Sequence, residues 1–261
     1  NMSEFTLPLI EIFIGIILLF AGGEFFIQGS VALSLMLGIP QIVIGWTVVA
    51  LGTSSPELLV SLNSIFKGSD SLAVSNVVGS NIFNIMVVLG ISALITPLKV
   101  KSRIVRRDVP LLIAISTAVW AISSTGLVTW QSGIFLLLCL IINTIWEINT
   151  INDKDEEFKN AEPEIDNYSF NKNFPSILAK LVIGILLLGF GSNILVKGSQ
   201  SLAILMNVNE TIIGLTILAT GTSLPELVTS IIAAFKGKTD LAIGNVIGSN
   251  LLNQLLILGS C

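Results

Sequence analysis

Glu57 and Glu226 are the two residues best placed to do chemistry. Each acid lies inside apolar sequence, follows a proline and closes a six-residue block, GTSSPE at 52–57 and GTSLPE at 221–226. A second pair of blocks, GSNIFN at 79–84 and GSNLLN at 248–253, recurs at the same offset of 169 residues. Across this interval, 23 of the 46 positions from Gly45 to Gly90 are identical to Gly214 to Gly259. A carboxylate at the centre of a bilayer costs about 3 kcal/mol or more, so such an acid is functional by default. Two copies in register point to a site between two halves of one membrane bundle.

The neighbouring residues say what that site binds. Pro56 lacks an N–H, so the Gly52 carbonyl loses its helical partner, and carbonyls around Ala50 to Thr53 are expected to become cation ligands. Non-helical backbone at this depth is tolerated where it lines a cavity or is buried in protein. Thr53 and Ser54 add hydroxyls, and Glu57 adds charge. The second copy repeats the set with Ala219, Thr222, Ser223 and Glu226. Ser80 and Asn84 are four apart and share one helix face, as do Ser249 and Asn253. Gly79 and Gly248 are expected to allow close backbone approach and to break their helices. The set is all oxygen, with no imidazole or thiolate, which suits a hard cation. Ca2+ takes six to eight such ligands and Mg2+ a tighter octahedron. Two carboxylates neutralise one Ca2+, and the same oxygens can hold several Na+. A single Pro kink with small-residue spacing would read as packing. Two copies with the acid in register do not.

These residues must be held by membrane helices. The chain has 261 residues, 52% hydrophobic and 11% charged, with a mean hydropathy of +0.89. Soluble domains carry about 25% charged residues. Eight apolar spans are expected, at about 6–28, 41–66, 71–95, 109–124, 127–148, 176–197, 210–235 and 240–260, since about 20 residues cross the hydrocarbon. Residues 29–38 and 198–207 extend the first and sixth. The fold class is an all-α polytopic membrane protein. Residues 1–148 form the first repeat and 174–261 the second, joined by an acidic linker at 149–173 that holds seven of the seventeen acids.

The copies are five spans apart, so the second is inverted. Lys99, Lys101, Arg103, Arg106, Arg107, Lys154, Lys159, Lys172, Lys180, Lys236 and Lys238 all fall on one side. That places the linker in the cytoplasm and the N-terminus outside, in a cell (inner) membrane. Glu24 aligns with Asn193 and Gln28 with Lys197, and Glu24 is expected in an outer vestibule, paired with Lys197, or snorkelling at a helix end. The absence of His removes imidazole chemistry, and Cys139 and Cys261 form no metal motif. No nucleophile stands with a base, which excludes an intramembrane enzyme. A channel would need a continuous pore, whereas an inverted repeat favours alternating access.

The paired GTS-PE and GSN--N motifs resemble the two α-repeats of the Ca2+/cation antiporter superfamily, in its prokaryotic sodium/calcium exchanger branch. The resemblance covers about residues 7–95 and 176–260. It implies two inverted repeats of five helices, and exchange of three Na+ entering for one Ca2+ leaving. It also implies that Glu57 and Glu226 ligate Ca2+ with Thr53 and Thr222. Na+ is then held by Ala50, Ser54 and Ser249 on one side and by Ala219, Ser223 and Ser80 on the other, with Asn84 and Asn253 completing the centre. Some relatives carry Asp where this chain has Asn253, so Asn here argues against K+ co-transport. The family's last two helices have no counterpart before Cys261, and the expectation is that they come from a longer chain or a partner. A monomer, no organic cofactor and no nucleic-acid partner complete the reading. An H+/Ca2+ exchanger is the alternative.

Overall fold

The computed structural model describes residues 2–66, 70–100, 102, 104–124, 129–151, 170–208 and 219–261. Helix α1 spans Met2–Leu37 and α2 spans Gln41–Thr53. After a joint at Ser54, α3 runs Ser55–Phe66. Helix α4 (Asp70–Phe83) continues through a π-helical turn (Asn84–Val88) into α5 (Leu89–Ile95). A further π-helical turn (Ile104–Asp108) leads into α6 (Val109–Ser124), followed by α7 (Trp130–Ile151). The second half holds α8 (Phe170–Leu205), α9 (Ala219–Gly221), α10 (Leu224–Phe235) and α11 (Thr239–Leu252). A π-helical turn (Asn253–Ile257) then joins α11 to α12 (Leu258–Ser260).

Helices occupy all or part of each expected span. Among the described residues four of them, or five if the bent pair α2–α3 counts as one, are long and apolar enough to cross a membrane. Two boundaries differ. Helices α7 and α8 reach Ile151 and back to Phe170, so both ends of the expected linker are helical. Its remainder, 152–169, and residues 209–218 of the seventh span lie outside the described residues.

Helices α1 and α8 pack antiparallel along their length, and glycine makes this possible. Gly15, Gly22 and Gly29 recur every seven residues on α1, and Gly184, Gly191 and Gly198 are their counterparts on α8. A Cβ on Gly22 would stand 2.8 Å from the Leu188 backbone nitrogen, and one on Gly191 would stand 2.8 Å from that of Leu19. Close approach without a Cβ is how membrane helices gain packing energy where lipid supplies no hydrophobic drive. The antiparallel match of equivalent helices is the inverted repeat seen directly.

Helix α11 is the buried centre. In the segment Thr239–Ser260, 89% of the most apolar window is inside the protein, against 22–28% for the other long spans. Gly244 and Gly248 bring it onto α2, where a Cβ at Gly248 would lie 2.4 Å from the Trp46 carbonyl. Leu251, Leu255 and Leu258 pack against Val119 and Leu136 of α6 and α7. Phe13, Ile17 and Phe20 on α1 and Phe135, Ile142 and Ile145 on α7 are exposed, and these apolar faces suit lipid.

Candidate cation site

Each acid opens a new helix. Helices α2 and α3 meet at 44° around Ser54, whose φ and ψ are −82° and 4°. Ser223 at the start of α10 has nearly the same conformation, −91° and 8°. Glu57 and Glu226 therefore lie in the first turns of α3 and α10. There the unsatisfied N–H groups and the helix dipole favour negative charge. Both side chains are fully buried.

The two breaks face each other, and the bonds between them are crossed. Ser54 Oγ donates to Glu226 Oε1 at 2.9 Å, and Ser223 Oγ donates to Glu57 Oε1 at 2.9 Å. Each carboxylate is thus oriented by a hydroxyl of the opposite repeat. Thr53 Oγ1 donates to Asn245 Oδ1 at 3.1 Å, and Thr222 Oγ1 to Asn76 Oδ1 at 3.5 Å. Asn245 Nδ2 in turn holds Ser230 Oγ at 2.9 Å, and Asn76 Nδ2 holds Ser61 Oγ at 3.0 Å.

The second motif lies in the middle of the bundle. Asn84 and Asn253 each begin a π-helical turn, a local irregularity that recurs at functional sites. Asn84 Nδ2 donates to Asn250 Oδ1 at 3.2 Å, and Asn253 Nδ2 to Asn81 Oδ1 at 3.0 Å. Ser249 Oγ donates to Asn245 Oδ1 at 3.4 Å. The expected helix breaks at Gly79 and Gly248 are not found, because both lie inside unbroken helices. Close approach holds at Gly248 only, since Gly79 has open space among the described residues.

Among the described residues six buried side-chain oxygens have no protein partner: Glu57 Oε2, Glu226 Oε2, Asn84 Oδ1, Asn253 Oδ1 and Ser80 Oγ, and Ser123 Oγ on α6. Buried polar atoms are paired in the great majority of cases. Five of the six come from the two repeated motifs, and those five suit the donor set of a hard cation. Among the described residues no three acids, Cys or His cluster, so charge comes from two carboxylates and the rest is neutral oxygen.

The Gly carbonyls freed by proline each accept a side-chain hydroxyl, which leaves each a second lone pair. Ser55 Oγ bonds Gly52 O at 2.8 Å, and Ser192 Oγ of α8 bonds Gly221 O at 2.5 Å. Ala50 O accepts the Ser54 N–H at 2.9 Å, while Ala219 opens α9. One expectation is corrected, since Glu24 does not pair with Lys197. It bonds Lys236 at the far end of α10 and accepts from Gln28 at 2.6 Å, and Lys197 pairs with Glu11 at 2.8 Å. The reason is the antiparallel seam, which puts Glu11, not Glu24, level with residue 197.

Sequence reasoning passed over Asn76, Asn245, Asn81 and Asn250. The signal was present, since each is identical to its partner at the 169-residue offset. Thr222 is half-buried and borders a cleft of about 410 Å3 lined by Ser55, Pro56, Phe190, Ser192 and Val196. A second cleft shares Phe190, Asn193 and Val196 and extends to Lys197 and Gln200.

Paired broken helices around buried oxygens define a two-fold membrane transporter for a hard cation. The family model described as sodium/calcium exchanger protein matches residues 8–148 and 176–261, and the chain belongs to that family. It is a transporter and not an enzyme. The putative antiporter CaxA of Alkalimonas amylolytica is 35% identical over 96% of this chain and 78% of its own length. The sodium/calcium exchanger MaX1 of Methanosarcina acetivorans is 31% identical over 97% and 82%. A solved structure of the sodium-calcium exchanger NCX_Mj, soaked with 2.5 mM Na+ and 1 mM Sr2+, matches with a TM-score of 0.82 at 32% identity, covering 98% of this chain and 82% of that one.

Proposed function

We propose that this protein exchanges Na+ for Ca2+ by alternating access, three Na+ entering for each Ca2+ extruded. The carrying observation is the orphaned carboxylate oxygen on each of Glu57 and Glu226. Together they offer two negative charges to one divalent ion. Thr53 and Thr222 flank them for Ca2+. Ala50, Ser54 and Ser249, and Ala219, Ser223 and Ser80, serve Na+, with Asn84 and Asn253 between. Three Na+ against one Ca2+ moves one net charge per cycle.

The protein lies in the cell (inner) membrane as a monomer, with its N-terminus outside and residues 149–173 in the cytoplasm. The two adjoining clefts along the C-terminal half of α8 supply outer access on the Thr222 side. The test is 45Ca2+ uptake into Na+-loaded proteoliposomes. Uptake that needs the outward Na+ gradient and carries current supports the exchange. Uptake that follows a pH gradient and ignores Na+ overturns it in favour of H+ coupling.

A further inference from the structure

Asn81 and Asn250 hold the centre of the bundle in a closed ring of amides. Asn81 Nδ2 donates to the Asn250 carbonyl at 3.3 Å, and Asn250 Nδ2 donates to the Asn81 carbonyl at 3.5 Å. Their side-chain oxygens are used differently. Asn81 Oδ1 accepts from Asn253 Nδ2, and Asn250 Oδ1 accepts from Asn84 Nδ2. An amide has two donors and one oxygen, and it can flip end for end. Fixing the NH2 of Asn84 and Asn253 therefore fixes where their oxygens lie. Those two oxygens are the ones left without a protein partner, and both side chains are fully buried.

We propose that Asn81 and Asn250 are positioning residues that set the amide orientation of Asn253 and Asn84 across the repeat boundary. Neither needs to touch the ion. Each repeat supplies one central amide oxygen and holds the other repeat's oxygen in place. The crossing resembles that of the serines and carboxylates, so the two carboxylates and the two central amides are each oriented from the opposite half. The role rests on the cation-site reading above.

The predicted coupling is crossed, and a packing role would not be. The readout is 45Ca2+ equilibrium binding to the purified protein, with displacement by Na+. Asn253→Ala is expected to raise the half-displacing Na+ concentration about tenfold, the loss of one neutral ligand of about 1.4 kcal/mol. Asn81→Leu is expected to raise it by a similar factor, and the Asn81→Leu/Asn253→Ala pair no further than either alone. Asn81→Leu with Asn84→Ala is expected to be additive, about a hundredfold. The mirror pattern holds for Asn250 with Asn84 and with Asn253. Asn81→Ser, too short to reach Asn253, replaces the Leu variant if that one does not fold. Additive penalties in both the crossed and uncrossed pairs overturn the positioning role and leave the ion site standing. Parental protein that binds neither ion overturns the site and the positioning role together.

Discussion

Glu57→Gln is the sharpest perturbation of this site, because the structure says which atom changes. Glu57 Oε1 accepts from Ser223 Oγ, and Oε2 has no protein partner. In the glutamine the oxygen keeps the Ser223 bond, so the NH2 takes the place of Oε2. A ligand becomes a donor, and half the negative charge is lost. Removing one member of a buried charge pair costs about 3 to 5 kcal/mol. The lower figure alone is on the order of a hundredfold in Kd. For Na+, with half the charge, the same reasoning gives about half the energy and on the order of tenfold. Glu226→Gln, held by Ser54 in the same way, should match it.

The assay is 45Ca2+ binding alongside thermal unfolding with and without Ca2+. A ligand at 100 times its Kd stabilises the folded state by about 2.7 kcal/mol. The parental protein should show that increment, and both glutamine variants should lose it. Without ions the variants should be at least as stable as the parent, because an uncompensated buried carboxylate is costly. A loss of binding with intact stability is therefore not a folding defect. Ca2+ affinity within threefold of the parent in both variants would refute the assignment.

Three further outcomes follow from the same geometry. Ser54→Ala should weaken Ca2+ binding by about tenfold, through the carboxylate of the opposite repeat. It should add little to Glu226→Gln but its full effect to Glu57→Gln, in the same binding assay. Gly22→Val and Gly191→Val should each lower stability by about 1 to 3 kcal/mol in thermal unfolding, because the new Cβ meets backbone that cannot yield. Glu24→Gln should change stability by less than about 1 kcal/mol, since its pair with Lys236 is partly exposed.

The helices were legible because apolar length and the repeat offset act locally. The predicted span at 109–124 matches α6 residue for residue. The acids were legible because a charge in hydrocarbon is conspicuous. The partners were not. Ser54 was read only as a hydroxyl of its own block, yet it orients Glu226, 172 residues away. Asn81 was passed over because the i, i+4 rule chose the face of Ser80 and Asn84. Its own role depends on Asn253 of another helix. Glu24 was misplaced because one sequence does not show which residues an antiparallel seam puts level.

The two halves keep the chemistry symmetric and let its support diverge. Proline strips a partner from Gly52 O and Gly221 O alike. The first repeat recovers it locally, through Ser55 one residue before the proline. The second has Leu224 at that position and takes its hydroxyl from Ser192 on α8 instead. The residue equivalent to Ser192 is Gly23, and a Cβ there would lie 2.6 Å from Ile232. A serine at 23 would require the tip of Ile232 to shift, and one at 224 is not needed. Either solution satisfies a carbonyl whose burial unpaired would cost about 1 to 3 kcal/mol. What did not diverge are the carboxylate and amide oxygens that remain unpaired. Glu57 and Glu226, and Asn84 and Asn253, each present one free oxygen in both copies. A cap has only to fill a hydrogen bond, and many residues can do that. A ligand has to remain unsatisfied by protein, and that requirement falls equally on both halves because they share one ion.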